Sequence, residues 1–189
     1  LDLNQYISVI NAPTEDKPYM RSYTVEMLGN VVGGKEVKYI NLDMEDFKKL
    51  AIDQLESGES VWFGCDVGQF SNNISGIMAL NTYELEDLFD VDFSTSKADR
   101  LMYGESLMTH AMVLTGVDIV DGKPTRWKVE NSWGDKVGHK GYYVMTDGWM
   151  DQYTYQIVIK KDLLTDQQRQ AFESQPIVLA PWDPMGSLA

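Results

Sequence analysis

Four apolar segments, at residues 111–117, 125–131, 141–146 and 153–159, are separated by Gly, Asp and Pro turns, and they constrain the second half of this chain more than any other feature. Runs of that length, rich in β-branched and aromatic residues and punctuated by turn formers, read as strands. In Trp127-Lys128-Val129-Glu130 apolar and polar side chains alternate, as they do in part across 155–160. Successive strand side chains point to opposite faces, so each segment turns one face to a core and the other toward water. The spacing predicts a sheet in which antiparallel pairing dominates. A chain of 189 residues can bury well over half of its unfolded surface, so the core behind that sheet is substantial.

The first half predicts a helix, a tight turn and a strand. Asp43 or Met44 starts a helix running to about residue 57, with Glu45 and Asp46 in the first turn, where negative charge offsets the helix dipole. Phe47, Leu50, Ala51 and Leu55 share one face, Gly58 follows as a C-terminal cap would, and residues 60–65 read as a buried strand. The Gly33-Gly34 pair between β-branched residues predicts a hairpin turn, since both glycines accept positive φ. A phosphate-cradling loop is the alternative, and its Lys-Ser/Thr ending is absent. Residues 3–23 mix Pro13 and Pro18 with scattered polar side chains and suit extended or irregular packing.

Residues 68–99 are polar, with loop and short helix both open. Asp87, Asp90 and Asp92 lack the alternating ligands, mid-loop glycine and closing glutamate of a calcium loop, and read as a solvated acidic face. A last short helix is expected over 166–173. Beyond it Pro176, Pro181 and Pro184 argue against helix and leave 177–189 as an extended tail. No repeat and no linker of distinct composition divides the chain, so one compact unit with two arms is expected.

With 29 Asp+Glu against 16 Lys+Arg the net charge is −13, a field that repels phosphate backbones and anionic lipid headgroups. No stretch interleaves cations with stacking aromatics, so neither nucleic acid nor membrane is an expected partner. The one cysteine excludes an internal disulfide, and no spacing suits zinc, which favours a reducing compartment. Neither a signal peptide nor an eighteen-residue apolar run is found. Asn73-Ile74-Ser75 is therefore read as polar loop. The first residue is Leu1, not Met, which is compatible with an excised piece or with removal of a preceding segment.

The residues that carry chemistry are His110 and Asn131. Acyl transfer through a cysteine needs an imidazole that stabilises the thiolate and later supplies a proton, and a group that fixes the imidazole's tautomer. An amide oxygen on Asn131 can accept from one ring nitrogen of His110 and leave the other facing a thiol. Trp133, two positions on, can shield that hydrogen bond from water and keep it strong. The bland alternative is a satisfied structural histidine and an Asn-Ser pair that merely ends a strand.

The motifs Gly104-Glu105-Ser106-Leu107-Met108-Thr109-His110-Ala111-Met112, Val129-Glu130-Asn131-Ser132-Trp133-Gly134 and Gly138-His139-Lys140-Gly141-Tyr142 resemble the second half of the papain-like cysteine peptidases. Within that clan, with Val61-Trp62-Phe63-Gly64-Cys65-Asp66-Val67-Gly68 and Pro181-Trp182-Asp183-Pro184-Met185-Gly186, the chain is most similar to the bleomycin hydrolase and bacterial aminopeptidase C family. With Tyr23-Thr24-Val25-Glu26, these runs span nearly its whole length.

The resemblance implies an α+β chain: the sheet-rich half of a papain-like fold, an antiparallel partial barrel with packed helices and an extended C-terminal arm. Residues 1–179 would be the part that bears His110 and Asn131, and residues 180–189 an arm lying in the active-site cleft. It implies a cytoplasmic cysteine aminopeptidase, a homo-hexameric ring acting on peptides without a cofactor, with the nucleophile supplied by an amino-terminal half of the same protein. Ala189 would bind the substrate ammonium through its terminal carboxylate, and Trp133 would line the same site. Trp182 and Met185, between prolines, favour docking of the arm. Cys65, on a buried strand and outside a Cys-Gly-Ser-Cys-Trp context, is expected to be structural, with a raised pKa. His139, in a Gly-flanked turn, is expected to be structural or exposed. A catalytically silent binding or assembly module is the alternative, and a metal-assisted hydrolase is a third reading that no ligand spacing supports. The face that meets the amino-terminal half is expected to be apolar.

Overall fold

The computed structural model describes residues 2–29 and 31–187. It is a mixed α/β chain with a sheet-rich core. In chain order the elements are β1 (Tyr6–Ile10), β2 (Arg21–Val25), β3 (Tyr39–Asn41), α1 (Met44–Glu56), β4 (Val61–Cys65), β5 (Ser71–Asn72), β6 (Ile77–Met78), α2 (Leu85–Phe89) and α3 (Lys97–Met102). There follow β7 (His110–Val120), β8 (Lys123–Glu130), β9 (Tyr142–Thr146), α4 (Asp147–Tyr153), β10 (Thr154–Lys160), α5 (Asp166–Glu173) and β11 (Ile177–Leu179). The strands form one sheet in the order β11-β2-β3-β1-β10-β4-β7-β8-β9-β6-β5.

Antiparallel pairing dominates, as the turn spacing implies, with parallel exceptions at β1/β3, β2/β11 and β6/β9. α1 forms where its caps predict. The Asp43 carboxylate accepts from Asp46 N–H at 2.9 Å, and Gly58 continues the chain at φ +87°. Phe47, Leu50, Ala51 and Gln54 face inward. The buried Gln54 side chain donates to Ser60 O at 3.0 Å and accepts from Lys160 N–H at 2.7 Å, which ties α1 to β4 and β10 without leaving a polar group unpaired. The α5 helix has the expected bounds, begun by a capping box between Thr165 and Gln168.

Several elements differ from the sequence expectation. Residues 3–23, expected to pack as extended or irregular chain over a neighbouring surface, contain β1, which is extended but lies inside the sheet between β3 and β10. Its partner β10 is far away in sequence, so no local pattern announces the pairing. The turn near Gly33 is centred on Val32 and Gly33, with Gly34 N–H donating to Val31 O at 3.0 Å and Gly33 at φ +74°. It caps a wide β2–β3 connection and not a tight hairpin. α4 falls between the segments 141–146 and 153–159, where the sequence predicts only a turn. Instead the Thr146 hydroxyl accepts from Trp149 N–H at 3.3 Å and starts the helix.

The tail, expected to be extended, does form a strand, but also a 3₁₀ turn at Pro184–Gly186. Proline is tolerated there because the first N–H of a helical turn has no intrahelical partner in any case. Among the described residues, no helix is long and apolar enough to cross a membrane.

Candidate active site

β7 begins at His110, and β8 ends at Glu130, one residue before Asn131. Their register pairs Val113 with Glu130 and Leu114 with Val129. Continued toward the strand ends, it brings 131–133 alongside 110–112. His110 Nε2 lies 2.8 Å from Asn131 Oδ1. The Trp133 ring is 4.8 Å from the imidazole, centroid to centroid, with the planes tilted by 31°. The sheet thus unites the three residues that the sequence singled out at this end of the molecule, with Asn131 buried and Trp133 42% exposed.

One further contact defines the tautomer. Ser132 N–H donates to the same Asn131 Oδ1 at 2.8 Å. A main-chain N–H needs an acceptor, so the shared atom is the amide oxygen and not the nitrogen. The ring nitrogen facing it carries the proton. In the neutral imidazole Nδ1 is then the basic nitrogen. Ser132 contributes here through its backbone, which no side-chain motif could reveal.

The surroundings hold both residues in place. Asn131 N–H donates to Gly141 O at 3.1 Å. Gly141 has φ +86°, and a Cβ there would lie 3.1 Å from Gly134 O, so the turn after Trp133 closes only with glycine at 141. On the other side, Thr109 N–H donates to Cys65 O at 3.0 Å, and its hydroxyl donates to Asp66 Oδ1 at 3.2 Å. Asp66 Oδ2 also accepts from Gln69 Nε2 at 3.2 Å. Thr109 and Asp66 were not singled out from the sequence, where nothing local links them.

Cys65 pairs with His110 across the β4/β7 ladder, yet its side chain is wholly buried. Burial pushes its thiol well above the usual range, and the Asp66 charge adds to the rise. A thiol held protonated and shut away from solvent is inert as a nucleophile. His139 closes a turn, its N–H donating to Tyr142 O at 2.9 Å.

Ala189 lies outside the described residues. In the preceding segment Met185 is buried and Trp182 is 85% exposed, so only one of the two expected anchors docks. Asp183 N–H donates to Ala180 O at 2.9 Å, which puts Pro181 and Trp182 at the tip of a turn, where side chains project outward. A groove of about 500 Å³ separates this tail from the segment leading to His110, with Leu101, Tyr103, Leu107, Trp182 and Pro184 among its walls.

The Peptidase C1-like family model matches residues 1–186. The chain is 64% identical to an Aminopeptidase C of Lactococcus lactis subsp. lactis and 65% identical to one of Streptococcus thermophilus, covering 44% and 43% of their lengths. It is 44% identical to a Bleomycin hydrolase of Gallus gallus, covering 42% of it. All of this chain is covered in each case, so it spans less than half the length of these curated relatives. A crystal structure of pepw from Lactobacillus rhamnosis superposes on the whole chain with a TM-score of 0.98 at 62% identity, and the match takes in 43% of that protein. The chain belongs to the Peptidase C1-like family.

Proposed function

We propose that this chain is the carboxy-terminal portion, in a papain-like fold, of a cysteine aminopeptidase, with His110 as general acid/base and Asn131 as the residue that orients it. The observation that carries this reading is the 2.8 Å contact from His110 Nε2–H to an Asn131 oxygen whose identity the Ser132 N–H defines. It leaves Nδ1 basic. The names of the relatives, Aminopeptidase C and Bleomycin hydrolase, support the substrate class.

In this mechanism Nδ1 takes the proton of a thiol supplied by residues outside this sequence, and the Asn131 oxygen stabilises the imidazolium that results. The thiolate adds to the scissile carbonyl. As the tetrahedral intermediate collapses, the C–N bond breaks and the leaving amine takes the proton back from Nδ1. Water then adds to the thioester, losing a proton to Nδ1, and the acid is released as the thiol re-forms. Trp133, beside the imidazole, keeps water from the Nε2–Oδ1 hydrogen bond, where a lower local dielectric strengthens it. Residues 1–179 form the His- and Asn-bearing part. Residues 180–189 form an arm whose Ala189 carboxylate pairs with the substrate ammonium. A homo-hexameric, cytoplasmic enzyme is part of the same proposal.

The test uses the longer protein and an aminoacyl-fluorogenic substrate. His110→Ala lowers kcat/KM by about 100-fold or more with the fold intact. Retained turnover would remove His110 from its role. The 189-residue chain alone, whose one cysteine is buried, shows no hydrolysis in the same assay, and measurable hydrolysis would contradict its catalytic silence.

A further inference from the structure

Lys17 is a charged side chain that the chemistry above does not use, and it is almost completely buried. Its Nζ lies 2.9 Å from Asp183 Oδ2 and 2.8 Å from Asp16 Oδ2, with 4% of the lysine side chain and 10% of the Asp183 side chain exposed, against 64% for Asp16. The pair with Asp183 therefore sits inside the protein, and the pair with Asp16 at its rim. Burial alone would lower the lysine pKa, but hydrogen bonds to the two carboxylates outweigh it and raise it. The amine thus stays charged across the physiological range.

Both partners are built into rigid surroundings. Lys17 N–H donates to Thr14 O at 3.0 Å, and Lys17 O accepts from the fully buried Asn41 side chain of β3 at 2.7 Å. Asn41 also exchanges two hydrogen bonds with the Ala12 backbone, each of 2.9 Å, so the loop carrying Lys17 is stitched to the sheet. Asp183 divides its oxygens. Oδ1 accepts from Met185 N–H at 2.9 Å and starts the 3₁₀ turn, and Oδ2 meets the lysine. Downstream, the Tyr39 hydroxyl donates to Met185 O at 3.1 Å, and Met185 itself is fully buried.

We infer that Lys17 is a positioning residue for the carboxy-terminal arm: by clamping Asp183 it fixes the 3₁₀ turn from which the last residues depart, and hence the direction they take toward the proposed cleft. The inference rests on the proposed role of the arm. A buried ion pair is a poor source of net stability, because desolvation cancels much of the attraction, but it is directional. A hydrophobic contact would hold the tail without fixing its angle. Here the carboxylate that holds the lysine also caps the turn, so displacing the lysine tilts the turn.

The test compares cleavage of one peptide, with a free or an acetylated amino terminus, by four forms of the longer protein. Deletion of residues 187–189 removes the arm's end. Lys17→Met breaks the clamp, Lys17→Met with Asp183→Asn breaks it without leaving a buried charge, and Lys17→Arg preserves it. The deletion, Lys17→Met and the double variant raise acetylated relative to free cleavage by at least about tenfold, the weight of one charge-assisted contact. Lys17→Arg keeps the parent ratio.

A deletion that leaves the ratio unchanged overturns the arm's role, and the clamp with it. A deletion that shifts the ratio while both clamp-breaking variants keep it overturns the clamp alone. An equal fall on both peptides marks Lys17 as merely structural and also overturns it. Should Lys17→Met fail to fold, the double variant decides.

Discussion

The two hydrophobic clusters of this chain are held together differently. The larger contains Phe47, Phe63, Trp127, Tyr143, Trp149 and Ile157, drawn from α1, β4, β8, β9, α4 and β10. It backs the strand ends that carry His110 and Asn131. The smaller contains Ile10, Tyr23, Tyr39, Tyr155, Leu179 and Met185, and it holds the tail. Its three tyrosines all use their hydroxyls. Tyr23 donates to Pro18 O at 2.8 Å, Tyr39 to Met185 O at 3.1 Å, and Tyr155 to Ser106 Oγ at 2.6 Å. Apolar burial, which is non-directional, consolidates most of the first region, where Trp149 Nε1–H also donates to Gln69 O at 2.7 Å. The second is assembled from segments far apart in sequence and is specified by directional bonds, so its integrity depends on the tail being home.

If that contrast holds, truncation in the larger cluster is global in effect. Trp127 is fully buried, and its Nε1–H donates to Asp147 Oδ1 at 3.1 Å. Trp127→Ala removes the packing and one partner of the Asp147 carboxylate, whose other oxygen keeps Lys48 at 2.7 Å, and costs about 3–5 kcal/mol. Urea unfolding followed by near-ultraviolet circular dichroism measures it, and a loss below about 1 kcal/mol would mean that the site's foundation lies elsewhere. Met185→Ala is smaller and local, about 2 kcal/mol. Amide exchange should rise in β2, β11 and the tail while β7 and β8 keep their protection. Equal deprotection throughout would merge the two regions into one cooperative unit.

Much of the larger region is legible from sequence, because its signals are local. α1 has its cap, acidic first turn and terminal glycine within sixteen residues, from Asp43 to Gly58. β7, β8 and β9 are chain neighbours, so alternation and turn residues suffice to place them. The smaller region escapes for the opposite reason. β1 is sandwiched between β3 and β10, and β2 meets β11 in a parallel pair, contacts between distant segments that leave no periodicity behind. The candidate site divides in the same way. His110, Asn131 and Trp133 are legible because a motif names their side chains. The Ser132 N–H and the Asp66–Thr109 bond are not, since a backbone donor has no residue type and a pair formed across two strands has no spacing.

Lys97 lies at the seam between the regions, and its titration reads the state of that seam. The amine is buried, donating to Asn11 Oδ1 at 2.7 Å and Thr154 O at 2.6 Å, near the larger cluster's Met44 sulfur at 3.6 Å and over the smaller cluster's Tyr155 ring at 4.9 Å. Burial pulls its pKa down to about 7, with Asp151 opposing the fall and Arg100 and Lys48 adding to it. An exposed lysine titrates near ~10.4, so between these values the unfolded chain holds a proton that the native protein has released. Native stability therefore rises with pH from about 7 upward and loses that gain as pH falls back through 7, with a slope near ~1 kcal/mol per pH unit. Cys65 acts in the opposite sense above about 8.5, since its folded thiol keeps a proton that the unfolded one gives up. Urea midpoints at pH 7.0, 7.75 and 8.5 isolate the lysine when the parent is compared with Lys97→Met, because Cys65 is common to both. The parent gains stability across that window and the variant stays flat. Parallel slopes would mean that the amine remains charged and hydrated, and that the two clusters are parted by water at this point and not sealed together.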